Sequence, residues 1–294
     1  MLKTPPRELN ITEATVQNLI DNQIHELADL PLQYLDEGWD NVMYRLGEDY
    51  LIRLPRRAIA ANLISNEQTY LNYLPSQLPI NIPRSIFSGI PQDNYPWHWS
   101  VLPYFEGEAA DLTSIDSGES IRFTKFLKQI HQPANGTAPT NKYRGVDLVE
   151  READVKQRLE SVKKHMPDLY VLLIKLWEEA IKADKNANDY WLHGDLHPKN
   201  ILVHQGTFSA IVDWGDITSG DVATDLAAIW LMFDSPQARA DAISDYDIEK
   251  PLLSRTLGWV IYFATVFYET GLNHNPRHLK IGENAFKRLQ EDFQ

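Results

Sequence analysis

Apolar residues change their spacing partway along the chain. Over residues 11–27, Val16, Leu19, Ile20, Ile24 and Leu27 recur at the helical period behind Thr12, a residue suited to an N-cap. Residues 33–54 instead form short β-prone runs, broken at Glu37-Gly38 and at Gly47-Glu48-Asp49, and predict three strands ending at Pro55. Residues 59–74 return to the helical period, with Leu63, Glu67, Tyr70, Leu71 and Leu74 on one face. Glu67 is a carboxylate within that apolar stripe. Either it is buried against a cation, because an unpaired buried charge is costly, or it lies at the stripe's edge and reaches water. Pro75, Pro79 and Pro83 then interrupt the chain, and residues 85–89 and 97–104 predict two more strands around a turn at Gln92-Asp93-Asn94. The aromatic cluster Tyr95, Trp97 and Trp99 reads as strand packing. Strand character stops near residues 103–108. Helical runs follow at 119–131, 147–165, 169–183, 224–233 and 252–271. The pattern predicts an α+β protein with a small strand-rich lobe, residues 1–103, and a larger helical lobe, residues 104–294.

Composition narrows the chemistry. The 294 residues suit two lobes better than one compact core, and the chain has no internal repeat. With no cysteine, disulfide frameworks, cysteine-based metal sites and thiol nucleophiles are excluded. Residues 1–10 contain no apolar stretch of the signal-peptide kind. The longest apolar run free of charge, residues 256–268, is too short to span a bilayer. These features lead us to expect a soluble, cytoplasmic protein with neither a membrane nor a nucleic-acid partner. The net charge of −13 opposes binding to a phosphate backbone, and it fits either a solubilising surface or a cationic ligand.

One segment concentrates the chemistry. His193-Gly-Asp-Leu-His-Pro-Lys-Asn200 contains Gly194 and Pro198 and therefore reads as a loop. Residues 201–204 and 208–212 are β-prone around Gln205-Gly206-Thr207, which reads as a hairpin. A hairpin brings its ends together, so Asn200 and Asp213 are expected side by side with Asp195 on the loop before them. Two of the three supply hard oxygen ligands of the kind Mg²⁺ takes, and the third is free to act on a substrate proton. Asp, Asn and a second Asp in this order match the core of kinase-type phosphoryl transfer.

His193-Gly-Asp-Leu-His-Pro-Lys-Asn200 and Asp213-Trp-Gly, followed by Gly220-Asp221, closely resemble the aminoglycoside phosphotransferase family, whose protein-kinase-like two-lobed fold is shared with choline and macrolide kinases. The resemblance runs from Gly38-Trp-Asp-Asn41 through Leu51-Ile-Arg-Leu-Pro-Arg56, Glu67, residues 97–108 and Tyr143-Arg-Gly145 to the helices after Asp225. It implies Asp195 as the catalytic aspartate, Asn200 and Asp213 as Mg²⁺ ligands, and His193 as a brace of the loop. By the same resemblance Asp225 accepts backbone N–H bonds from that loop, although a first-turn acid also complements a helix dipole. The family often has Gly-Asp-Pro where this chain has Gly220-Asp221-Val222, a departure that alters a turn. The strand cation that pairs with a helix carboxylate in kinases corresponds to Arg53, with Glu67 its partner. By the same resemblance Gly38 and Asn41 would belong to the turn over the nucleotide phosphates. Backbone groups of residues 102–105, Pro103 and Tyr104 among them, would meet a purine edge. Leu202 and Val212 either pack on the ring or fill the hairpin core.

Other constellations carry less. His193 and His197 have the i, i+4 spacing of a zinc pair on a helix, but Gly194 and Pro198 forbid the helix. Walker, dinucleotide-fold and Gly-x-Ser-x-Gly signatures are absent from the sequence. Residues 213–249 hold nine acids and one base, Arg239, and Asp234, Asp241, Asp245, Asp247 and Glu249 either face solvent or line a cationic acceptor site. Trp230, Trp259, Tyr262, Phe263, Phe267 and Tyr268 read mostly as core, a few of them as walls of an acceptor pocket. The expected activity is transfer of the γ-phosphate of ATP or GTP to a hydroxyl of a small molecule with Mg²⁺. A drug-modifying kinase, a metabolic kinase for choline-, sugar- or homoserine-type acceptors, and a macrolide kinase stay open. A nucleotide-binding pseudokinase is a further alternative, but it would be free to lose Asp195, Asn200 or Asp213, and all three are present.

Overall fold

The computed structural model describes residues 6–38, 40–92, 94–185, 188–273 and 275–294. Trp39, in the expected phosphate turn, and Asp93, in the expected turn between strands, lie outside them. The protein has the α+β, protein-kinase-like two-lobed fold. Helix α1 (Glu13–Gln23) starts where expected, because the Thr12 hydroxyl accepts from the Thr15 N–H at 3.2 Å. It ends earlier than predicted, and His25–Leu27 forms a separate 3₁₀ turn.

Strands β1 (Leu32–Glu37), β2 (Asn41–Leu46) and β3 (Tyr50–Pro55) follow, then helix α2 (Ala58–Tyr70) and strands β4 (Phe87–Gly89) and β5 (Trp99–Pro103). They form one antiparallel sheet in the order β1-β2-β3-β5-β4. Its core joins Leu19 and Ile20 of α1 to Tyr44, Ile52, Leu54, Trp99 and Val101. The aromatic cluster packs as expected, with Tyr95 and Trp99 buried. Gly89 lets β4 cross the Trp99 indole, since a Cβ there would fall 2.0 Å from the ring.

The second lobe begins with strand β6 (Glu108–Ala109), which the sequence pattern did not predict. Helices α3 (Glu119–Ile130), α4 (Glu152–His165) and α5 (Pro167–Ala180) lead to strand β7 (Tyr190–Leu192) and the hairpin β8 (Ile201–His204) and β9 (Thr207–Ile211). Strand β10 (Thr218–Gly220) pairs with β7, and β6 pairs with β8. The expected helix over residues 224–233 is two short helices, α6 (Ala223–Leu226) and α7 (Ala228–Met232), broken at Ala227. Helices α8 (Pro236–Tyr246), α9 (Lys250–Leu272) and α10 (Pro276–Phe293) complete the lobe. Neither α8 nor α10 was predicted, although α10 buries Ile281, Ala285, Phe286 and Leu289 at helical spacing.

The helical core also takes in Leu71, Leu74, Ile80 and Ile82, which precede residue 103 in the chain. Helix α2 packs on the turn Trp214–Asp216, so the lobes also meet away from the linker. Among the described residues, no helix is long and apolar enough to cross a membrane.

Candidate active site

The hairpin does what its sequence pattern requires. Ile201 pairs with Ile211, and the Val212 N–H donates to the Asn200 carbonyl at 2.9 Å, which sets Asn200 beside Asp213. Asp213 has left-handed backbone angles (φ 63°, ψ 64°), a conformation that costs a non-glycine residue about 1–2 kcal/mol. Its carboxylate is half open to solvent and lines the cleft between the lobes. That cleft is a cavity of about 610 Å³, the size of a small-ligand site. Gly38, Asn41, Arg53, Pro103, Tyr104, Asn200, Leu202, Val212 and Asp213 all border it.

Leu202 and Val212 face this cavity half-buried, while Ile201, Val203 and Ile211 fill the hairpin core. Gly38 sits in a tight turn, its N–H donating to the Asn41 carbonyl at 2.9 Å and its carbonyl accepting from Arg56 Nη1 at 2.9 Å. The linker offers fewer groups to a purine than expected. Pro103 has no N–H, and the Tyr104 N–H already donates to the Asp49 carbonyl at 2.7 Å.

Glu67 is not a cavity residue. It is 2% exposed, behind Arg53, which decides its two readings for the buried pair. Arg53 Nη1 donates to Glu67 Oε2 at 2.9 Å, and Arg53 Nη2 donates to Asp213 Oδ1 at 3.2 Å. Glu67 Oε2 also accepts the Trp214 N–H at 3.0 Å. One guanidinium thus ties helix α2 to the Asp213 turn. Burial pushes the Glu67 carboxyl up, and Arg53 opposes that shift.

The loop before the hairpin is held from below. Asp225, fully buried, accepts the His193 N–H at 2.7 Å and the Gly194 N–H at 2.9 Å. His131 Nε2 donates to the same carboxylate at 3.3 Å. The His193 ring donates through Nε2 to the Val212 carbonyl at 3.0 Å and accepts the Asp195 N–H on Nδ1 at 3.3 Å, which sets its tautomer. Gly194 is needed at φ 86°, where a Cβ would fall 2.5 Å from the Asp216 carbonyl oxygen. Asp221, at the departure from Gly-Asp-Pro, keeps a role in this turn: it is buried, and Arg255 Nε donates to its Oδ2 at 2.6 Å.

Asp195 does not border the cavity. Its backbone carbonyl accepts Asn200 Nδ2 at 3.0 Å, and its carboxylate turns toward α9. There Arg144 Nη2 donates to Oδ1 at 2.6 Å, and His197 Nε2 lies 3.4 Å from Oδ2. Burial would raise the Asp195 carboxyl, but Arg144 and then His197 hold it well below the usual carboxylate range. Arg144 lies in the motif Tyr143-Arg-Gly145, to which no role was attached, and it sits 51 residues from its partner. No local spacing could have revealed that pair. Tyr262, Phe263 and Phe267 of α9, read as core or pocket wall, reach this region: Tyr262 bonds Arg144, and Phe267 packs on His197.

The acids of α8 and its flanks have other neighbours. Asp234 accepts from Arg288, and Asp245 accepts from the Thr124 hydroxyl.

The residues present fit a divalent cation. Asn200 uses its Nδ2 as a donor, which leaves Oδ1 unbonded among the described residues, and Asp213 Oδ2 is likewise free beside it. Two hard oxygens with room for phosphate oxygens suit Mg²⁺. Among the described residues, no group of three or more His, Cys, Asp or Glu side chains could hold a metal.

Known proteins share this architecture. The chain is similar to the GDP complex of wild-type aminoglycoside 2'-phosphotransferase-IIIa, with a TM-score of 0.67, 15% identity, and 96% of this chain and 100% of that one covered. It is also similar to macrolide 2'-phosphotransferase MphH from Brachybacterium faecium, with a TM-score of 0.62, 18% identity, and coverage of 92% and 97%. A curated thiamine kinase from Shigella sonnei is 27% identical over 109 residues, 34% of this chain. The chain spans between 36% and 64% of the length of the curated relatives it matches. The model of the phosphotransferase enzyme family matches residues 31–256, well over half of the chain, and this protein belongs to that family.

Proposed function

We propose that this protein transfers the γ-phosphate of ATP or GTP to a hydroxyl of a small molecule, with Mg²⁺. The observation that carries the reading is the convergence of Asn200, Asp213 and Arg53 on one ligand-sized cavity, with Asp195 on the loop beside it. Asn200 and Asp213 hold the metal, which when bound neutralises charge on the nucleotide phosphates. Arg53 and the turn at Gly38 and Asn41 clamp those phosphates. Leu202 and Val212 cover the base, and the linker at Pro103 and Tyr104 borders its edge. Asp195 orients the acceptor hydroxyl and takes its proton. The transition state is loose, so positioning outweighs base strength, which suits a carboxylate held at low pKa. In this reading residues 1–103 form the nucleotide-clamping lobe and residues 104–294 the catalytic and acceptor-binding lobe.

The acceptor is a small molecule carrying a hydroxyl. Aminoglycosides, macrolides, thiamine, choline and sugars are the classes to try, because the family and the similar proteins suggest them. The test is ADP and GDP release with Mg²⁺ against that panel, with Asp195→Ala and an EDTA-treated sample alongside. Release stimulated by one acceptor, and lost in both controls, is the expected result. Nucleotide binding with no release for any acceptor would favour the pseudokinase.

A further inference from the structure

Among the described residues two cations border the cavity between the lobes, Arg53 and Lys199, and they differ in one respect. Arg53 is neutralised by Glu67 and Asp213. Lys199 has no carboxylate within ion-pair distance among the described residues. Its hydrogen-bond partner is His278 of α10, whose Nε2 lies 2.9 Å from Nζ.

The roles in that contact can be worked out. The Thr270 hydroxyl of α9 donates its proton to the Val266 or Phe267 carbonyl, at 2.8 and 3.1 Å. It can therefore only accept from His278 Nδ1, 2.9 Å away. His278 thus carries its proton on Nδ1 and offers the Nε2 lone pair to the Lys199 ammonium. Phe267 packs edge-on against the His278 ring, with centroids 5.1 Å apart, and fixes its orientation.

An ammonium has three N–H donors, so this arrangement leaves two of them without a partner among the described residues; burial and the nearby Arg277 lower the Lys199 pKa, while Asp111, Asp195 and Asp213 favour its charged form. The loop that carries Lys199 is rigid, with the Asn200 N–H donating to the His197 carbonyl and the Ala110 N–H to the Pro198 carbonyl, both at 2.9 Å. Lys199 sits immediately before Asn200 and four residues after Asp195. Lys199 thus borders the same cavity as Asn200 and Asp213, on the loop that carries Asp195.

We propose that Lys199 is a further catalytic residue, which binds the terminal phosphate of the donor nucleotide, with His278 and Thr270 as positioning residues. The inference rests on the phosphotransferase reading above. In the transfer, a bond forms between the acceptor oxygen and the γ-phosphorus. The bond from that phosphorus to the β–γ bridging oxygen breaks, the acceptor proton passes to Asp195, and the nucleoside diphosphate leaves. Lys199 gains and loses no proton; it stabilises charge on the moving phosphoryl oxygens.

The test needs no acceptor. Dissociation constants of the full-length protein would be measured by calorimetry for the Mg²⁺ complexes of the β,γ-imido analogues of ATP and GTP, and of ADP and GDP. Lys199→Met should weaken the triphosphate analogue about ten-fold or more and change the diphosphate less than about two-fold. Lys199→Arg should recover part of the loss, and His278→Gln should lose less than Lys199→Met, in the same direction. If Lys199→Met fails to fold, as judged by its melting curve, Lys199→Gln takes its place. Equal losses for both nucleotides, or no loss for either, would overturn the assignment. Wild-type protein that binds none of the four nucleotides would overturn the phosphotransferase reading itself, and this inference with it.

Discussion

Arg144 and Asp195 form an ion pair at 2.6 Å, and the same guanidinium lies against the Phe263 ring and bonds the Tyr262 hydroxyl at 3.0 Å. The pair occupies one oxygen of the carboxylate that family resemblance marks as catalytic. Burial raises that carboxyl, while Arg144 and His197 overcome the rise. Arg144→Ala should therefore move the Asp195 pKa upward, as read by a carbon-13 titration of its carboxyl. The sign for stability follows. A depressed folded-state pKa contributes stability that is present above the unfolded value of about 3.9 and fades as pH falls below it. The variant's deficit in urea unfolding should be largest near neutral pH and should shrink on acidification. An unmoved titration would mean that Arg144 does not set this carboxylate's charge.

Arg53 and Glu67 are both buried, so the pair cannot be broken cheaply. Arg53→Ala leaves Glu67 without its cation and should cost about 3–5 kcal/mol in chemical unfolding. Arg53→Met combined with Glu67→Leu should recover most of that loss, because no buried charge remains, while nucleotide binding stays impaired. Stability without recovery in the double variant would count against the buried-charge account.

Gly194→Ala should cost about 1–3 kcal/mol, since it forces an L-residue to φ 86° against the Asp216 carbonyl. Transfer activity should fall further than stability, because the shift displaces the loop carrying Asp195. Gly118→Ala is the control: a Cβ there meets nothing within 4 Å, and its φ of −68° is ordinary. Equal behaviour of the two variants in thermal melts would refute the backbone argument.

His278 is pushed down to about 4, by burial first and then by the nearby Lys199 and His197. The unfolded chain takes up a proton near pH 6.5 that the folded protein refuses until about pH 4. Stability should decline across that window as pH falls, and His278→Gln should flatten the decline. Parallel pH profiles for the two proteins would show that His278 is not the group responsible.

Much of this was legible in the chain because it is written in local rules. Thr12 caps its helix through a bond three residues away, and the turns at Gly38 and Gly47 follow from short-range chemistry. The hairpin after Asn200 has to return Asp213 to its side, so spacing alone anticipated that approach. Helix α10 was missed even though its burial pattern is periodic, and the break at Ala227 was missed because both flanking segments are apolar throughout.

What the sequence determined by itself is the strand-rich first lobe, several helices of the second, and the hairpin that brings Asp213 beside Asn200, since helix and strand periods and hairpin geometry act over a few positions. Tertiary structure alone decided who partners whom. It put Glu67 behind Arg53, turned Asp195 toward Arg144, and set Lys199 against His278 instead of a carboxylate. The physical reason is range. Such contacts join side chains distant in the chain, 160 positions apart for Arg53 and Asp213, and burial, which sets their charge and strength, belongs to the packed lobes and not to any window of the chain.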